Sequence, residues 1–181
     1  METERHFSQL IEKKESTPKT YTIKFDSRSF GDKKIDSLVV KYWKQFGDPW
    51  LPGAVSEWWE KICLDNKLDP TSENLRELEL HLIEIARNAF EEVGNGEIKL
   101  IFEPHKITAV VTDQGPGFES PPNELMWSMH GLDLVKKYAD EFSIETNGIR
   151  YSKESSDSDL IESGEADIKT GSKITFIKNF E

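Results

Sequence analysis

The chain predicts an α+β fold: a two-layer α/β sandwich with a mixed, largely antiparallel sheet of five or six strands and its helices on one face. Three observations lead there. Short runs such as "YTIKF", "EIKLIFE", "KITAVVTD" and "SKITFIK" alternate apolar and polar residues with period two, the pattern of half-buried strands. Two pairs of such runs are joined by tight turns, at Pro104-His105 and at Asn147-Gly148, which predicts antiparallel hairpins. Longer stretches repeat apolar residues three and four apart, the spacing of an amphipathic helix.

The elements follow in order. Residues 1–19 are read as a flexible tail or a short peripheral helix, and residues 20–181 as one domain, since 181 residues suffice for a single good-sized core. Tyr21 to Phe25 is the first strand. Asp32 is placed to cap a helix running to about Phe46, because Ile35, Leu38, Val39, Tyr42 and Phe46 share a face and Gly47 follows. After the turn "DPWLPG" comes a helix over roughly Ala54 to Leu64. Its adjacent Trp58 and Trp59 cannot both face one side, so one is assigned to the core and the other to a partner or a second copy, or both to core packing. The stretch 47–70 is therefore a candidate partner surface. The strongest helix spans Ser72 to Val93, with Leu78, Leu82, Ile85, Ala86, Ala89 and Val93 on one face, Ser72 or Thr71 as its cap and Gly94 as its stop. The hairpin "EIKLIFE"/"KITAVVTD" follows, then a helix over "GLDLVKKYADEF", then the hairpin "FSIET"/"IRYSK" whose Asn-Gly calls for a type I′ turn. Residues 154–170, rich in Ser, Asp and Glu, are read as a solvated acidic loop, and "SKITFIK" as the closing strand.

Composition narrows the function. Lys+Arg 23 against Asp+Glu 34 leaves a formal charge of -11, which disfavours a nucleic acid or an anionic membrane as direct partner. It does not disfavour a nucleotide, because backbone N–H groups with Mg²⁺ can neutralise phosphates locally. Cys63 is the sole cysteine, so no intramolecular disulfide forms. No apolar run approaches the roughly 18 residues a spanning helix needs, and "METERHFSQLIEKKESTPK" has no apolar signal core. A cytoplasmic location is expected.

Three stretches can carry chemistry. On the long helix, Glu77, His81, Glu84, Asn88 and Glu91 form a polar face beside the apolar one. Such a face is ordinarily just solvated. Glu84 and Asn88, one turn apart, could instead orient an attacking hydroxyl and hold a hard cation through the amide oxygen. Next, "VVTDQGPGF" ends an apolar strand in an acid and two glycines. It reads as an ordinary turn, or as a site where Asp113 accepts from an N–H donor such as an adenine amino group while Gly115 and Gly117 allow close approach. Finally, in "MHGLDL", Gly131 before a helix is either a linker glycine or the start of a phosphate cradle.

In order and spacing, Glu84-x-x-x-Asn88, Asp113-x-Gly115-x-Gly117 and Gly131-Leu132-x-Leu134 resemble the N, G1 and G2 boxes of the GHKL ATPase superfamily, whose ATP-binding domain has the Bergerat fold. The resemblance covers about Leu75 to Lys178, and "GSKITFIK" is similar to the closing strand of that family. A glutamate opening the N box and the run "YADEFSIET" are most similar to the bacterial anti-sigma-factor serine/threonine kinases. The resemblance implies ATP and Mg²⁺ as cofactors. It makes Glu84 the general base, Asn88 the Mg²⁺ ligand and Asp113 the reader of adenine. Gly115 and Gly117 would shape that pocket, Gly131 and Leu132 would lie against the phosphates, and Ser172 would sit behind the base. The implied partners are a sigma factor or other regulator and an antagonist protein that is phosphorylated, with a homodimer possible. The alternative is a degenerate GHKL module that acts by protein contact alone, with or without nucleotide. Two departures favour that alternative: Met129 where the family has the first G2 glycine, and no Lys or Arg in the lid segment Phe118 to Ser128.

Overall fold

The computed structural model describes residues 17–26, 51–118, 132–153, 160–168 and 170–180. Within them lie strand β1 (Lys19–Asp26), helices α1 (Leu51–Asp65) and α2 (Glu73–Glu92), strands β2 (Asn95–Glu103) and β3 (Lys106–Asp113), and helix α3 (Leu132–Tyr138). Strands β4 (Glu141–Thr146), β5 (Ile149–Lys153), β6 (Leu160–Glu165) and β7 (Ser172–Asn179) complete the set. The expected helix from Asp32 to Phe46, the lid segment after Phe118, Met129 and Gly131 fall outside the described residues.

The strands form one sheet in the order β1-β2-β3-β7-β4-β5-β6. Every pairing is antiparallel, so the expected mixed sheet of five or six strands is instead a seven-stranded antiparallel one. The additional strand, β6, lies inside the segment read as an acidic loop. It pairs with β5 in the register Lys153↔Leu160 to Ile149↔Glu165, with a bulge beside Arg150 and Tyr151. Backbone hydrogen bonds hold an edge strand of this kind, and they need few apolar side chains to announce them. The first strand also begins at Lys19, inside the stretch read as a tail.

Register explains where the core sits. Ile98 lies opposite Val111, Val111 opposite Ile174 and Ile174 opposite Ile144; Leu100, Ala109, Phe176 and Phe142 form the next row. These side chains are buried on one face of the sheet, together with Ile23, Phe102 and Ile107. Against them pack Val55, Trp59, Ile62, Leu78, Leu82, Ile85 and Ala86 from α1 and α2, and Leu132, Val135 and Ala139 at α3. The product is an α+β domain with one core between its helices and one face of an antiparallel sheet.

Helix α1 buries both tryptophans: Trp59 is fully enclosed and Trp58 nearly so. Residues 100° apart on a helix can share a broad apolar stripe, and Ala54, Val55, Trp58, Trp59, Ile62 and Cys63 make two adjoining rows. Trp59 rests on Phe102 of the sheet, ring centroids 6.0 Å apart. Neither tryptophan is therefore an exposed partner contact, as one of the two could have been. Helix α2 begins after Ser72, whose extended backbone makes it the N-cap, although its side chain makes no capping bond. It ends as expected at Gly94, which takes the left-handed conformation at φ 80° and donates its N–H to the Ala89 carbonyl. Asn147 and Gly148, at φ 50° and 82°, form the two-residue turn between Thr146 and Ile149 that the dipeptide calls for. No described helix is long and apolar enough to cross a membrane.

Candidate nucleotide site

Three neighbouring strands end together on the same side of the sheet. Thr112 pairs with Lys173 and Thr146 with Ser172, so the ends of β3 and β4 flank the start of β7. Period-two alternation puts Asp113 on the same face as Ile107, Ala109 and Val111, toward the helices. The register also sets Gly96, just after α2, opposite Asp113, which brings the C-terminal end of α2 to this corner.

Asp113 is the polar centre of the corner. Its Oδ1 accepts the backbone N–H of Gly115 at 2.8 Å and that of Ser172 at 3.2 Å. Burial pushes the Asp113 carboxyl above the usual aspartate range, and the hydrogen bonds from Gly115 and Ser172 to the charged form pull against it. A half-buried carboxyl balanced in this way can accept a donor from a ligand without giving up its backbone partners. Ser172 thus contacts Asp113 directly through its backbone N–H.

The glycines around the acid permit close packing, and the partners they meet belong to the protein itself. A Cβ on Gly115 would lie 2.5 Å from Val93 Cγ2. Gly117 sits at φ 76°, and a Cβ there would lie 2.5 Å from Thr146 Oγ1 and 2.7 Å from Asn147 Oδ1. Two hydrogen bonds fasten the chain just beyond: the Phe118 N–H donates to Thr146 Oγ1 at 2.8 Å, and Asn147 Nδ2 donates to the Phe118 carbonyl at 2.7 Å. Gly171, at φ 80°, presses still closer, since a Cβ there would lie 2.3 Å from the Asp113 carbonyl oxygen. Sequence reasoning flagged Asn147 only as a turn residue and Val93 only as part of the helix's apolar face, and passed over Thr146. Nothing local marks them, because their partners are about 28 residues or more distant in one case and contributed by a helix end in the other.

Glu84 and Asn88 lie one turn apart on α2, roughly 14 and 8 Å along the helix axis from Val93 at about 1.5 Å per residue. Glu84 Oε1 accepts from Arg87 Nη2 at 2.6 Å, an ion pair between neighbours three residues apart that sequence reasoning did not single out. Leu132 is buried in the core, so its side chain does not reach a ligand and only its backbone can. Lys136 on α3 is buried, while its neighbour Lys137 is exposed. Gly131 lies outside the described residues. The structure therefore brings together Asp113, Gly115, Gly117 and Ser172, with Thr146, Asn147 and Gly171 added, and sets Glu84 and Asn88 on the helix that ends at the same corner.

No family model matches the chain, and no curated protein matches it in sequence.

Proposed function

We propose that the chain is an ATP-binding regulatory protein of the GHKL type, acting as an anti-sigma-factor-like serine/threonine kinase on a protein substrate. One observation carries the reading: a half-buried Asp113 carboxyl at the end of a core strand, held at one oxygen by the N–H groups of Gly115 and Ser172. An acceptor fixed in that manner at the rim of an apolar core selects a ligand edge bearing N–H donors, as adenine does. The residues fit a nucleotide with Mg²⁺. Asp113 would take the adenine amino group, the Gly115 to Gly117 turn would form the pocket wall, and Asn88 would offer the cation an amide oxygen. ATP would supply the transferable phosphoryl group. Glu84 would take the proton of an incoming serine or threonine hydroxyl, with its carboxylate oriented by Arg87. The protein partners would be a sigma factor or similar regulator and the antagonist that receives the phosphate, in the cytoplasm.

The second reading is a non-catalytic binding module of the same fold. The Glu84–Arg87 ion pair at 2.6 Å favours it, because the proposed base is already engaged by a cation. The lid segment without Lys or Arg points the same way, since less positive charge is then available to a triphosphate.

Isothermal titration of ATP and ADP, with and without Mg²⁺, against the wild type and Asp113→Asn tests the site. Mg²⁺-dependent binding on the order of -8 kcal/mol, the value for micromolar affinity, that the substitution weakens tenfold or more is the expected result. No binding by the wild type would remove the nucleotide reading altogether. Labelled ATP with a candidate substrate then separates the two readings. A kinase labels the added protein, and Glu84→Ala abolishes labelling while sparing nucleotide affinity; a binding module labels nothing.

A further inference from the structure

The sheet face opposite the described helices holds a largely buried ion pair. Period-two alternation turns Glu145 of β4 and Lys173 of β7 to that face, directly across from one another, with Arg150 at the matching position of β5. Glu145 is only 3% exposed. Its Oε1 accepts from Lys173 Nζ at 2.7 Å, and its Oε2 accepts the backbone N–H of Asp167 at 3.1 Å. Asp167 lies in a short strap, Ala166 to Ile168, that continues from β6 to the turn after β4. There Gly148 donates its N–H to the Ile168 carbonyl at 3.2 Å, and its own carbonyl accepts the Ala166 N–H at 2.9 Å. A buried salt bridge is poor evidence of stability, since apolar side chains of similar volume often serve as well. Apolar side chains cannot, however, accept the Asp167 N–H. The residues beside the pair point to the other face and hold the Asp113 corner. Thr146 follows Glu145 and takes the Phe118 N–H on its Oγ1, while Ser172 precedes Lys173 and gives its N–H to Asp113. Asn147, inside the strapped turn, holds the Phe118 carbonyl.

We infer that Glu145 is a positioning residue: neutralised by Lys173, it latches the strap onto the Asn147-Gly148 turn and so fixes the path of the chain that leaves Asp113 through Phe118. The turn is gripped from two sides, by the strap through Gly148 and by Phe118 through Thr146 and Asn147. Releasing the strap frees one side, and Phe118 loses a fixed anchor while the central strands stay paired. The latch also ties the edge strand β6, from which the strap continues, to the corner where β3, β4 and β7 meet. It belongs to the chain itself and holds with or without a ligand. Only its effect on nucleotide affinity rests on the reading of Asp113.

Native-state hydrogen exchange of the full chain without nucleotide tests the latch, read at the Phe118 and Gly148 amides against those of β2 and β3. Glu145→Met with Lys173→Met removes both charges and leaves no buried ion unpaired. The expected result is exchange at least tenfold faster at Phe118 and Gly148, with the β2 and β3 amides within threefold of the wild type. Glu145→Gln with Lys173→Met carries the same charge but keeps an acceptor for the Asp167 N–H, and should bring Phe118 back to within threefold. Asp167→Pro deletes that N–H and leaves the Glu145–Lys173 pair in place, at a side chain 91% exposed. It should speed Phe118 exchange as the methionine pair does, and it carries the test if that pair fails to fold. Unchanged exchange at Phe118 in these variants would overturn the latch. So would equal acceleration at every amide, or a glutamine variant no better protected than the methionine one, because the pair would then act only through the stability of the whole sheet. Failure of the wild type to bind ATP would leave every one of these expectations standing.

Discussion

Replacing Gly171 with alanine is the sharpest test of how the Asp113 corner is held. Two costs add. At φ 80° the residue is left-handed, which for an L side chain costs about 1–2 kcal/mol. The new methyl would also stand 2.3 Å from the Asp113 carbonyl oxygen and 3.1 Å from its carbon. Contacts of that kind settle near 3.5 Å, so one backbone must give by roughly 1 Å, and Asp113 ends β3 while Gly171 directly precedes β7. Such overpacking costs about 1–3 kcal/mol. The sum is a loss of about 2–5 kcal/mol, a large share of the roughly 5–15 kcal/mol that holds a domain of this kind. Urea unfolding followed by tryptophan fluorescence reads it as a lower midpoint at unchanged slope. The shift also pulls the Ser172 N–H away from Asp113 Oδ1, where it now bonds at 3.2 Å, so any ligand affinity that depends on Asp113 should fall with stability. A loss below about 1 kcal/mol would refute the reasoning, because it would mean that the turn before β7 relaxes freely and does not clamp the acid.

His81 makes stability depend on pH. Burial holds its imidazole below the usual histidine range, while Glu77, with an oxygen 4.0 Å away, opposes this weakly. Its depressed native value means that the unfolded chain binds the proton first, so stability is full above the unfolded value of about 6.5 and falls as pH drops below it. His81→Phe keeps the stacking on Tyr138, whose ring lies 4.5 Å away, and should flatten this limb in denaturation curves between about pH 7 and 5. Asp140 behaves in the opposite range. Burial raises its carboxyl, but the Asn179 N–H at 2.7 Å and the Lys178 ammonium at 3.2 Å outweigh that and hold it below the ordinary value. Its stabilisation is present above about pH 3.9 and is lost on acidification through the lower native value. Asp140→Asn should therefore lower the neutral-pH melting temperature and shrink its fall in acid. Cys63 is buried, and burial first, with Glu79 and Glu60 behind it, pushes the thiol up to about 12. A disulfide reagent should leave it untouched in the native protein and label it only in denaturant, and rapid native labelling would show that α1 opens.

Fold class was legible because burial on one face imposes period two on strands and a three-to-four spacing on helices, and both survive in the local sequence. Strands β2 and β3, helix α2 with its Gly94 stop, and the Asn147-Gly148 turn all stand where those patterns put them. Strand β6 did not show, because an edge strand is held by backbone bonds that leave little trace in side chains. For Trp58 and Trp59 the sequence left two readings, and burial of both is the one realised, because the width of a helix's apolar stripe depends on what packs against it, here a second helix and Phe102 of the sheet.

The same division runs through the candidate site. By itself the sequence determined the residue types and their order: an acid closing an apolar strand, glycines after it, and a glutamate and an asparagine one turn apart. The tertiary structure alone decided what those residues touch. Antiparallel register carries Ser172 to Asp113 across 59 positions of chain, and the turn after β4 reaches back to fasten Phe118. The glycines turn out to make room for Val93, Thr146, Asn147 and the Asp113 backbone. Local composition encodes what each segment can do by itself, whereas partnership between segments depends on strand order and register, which no short stretch contains.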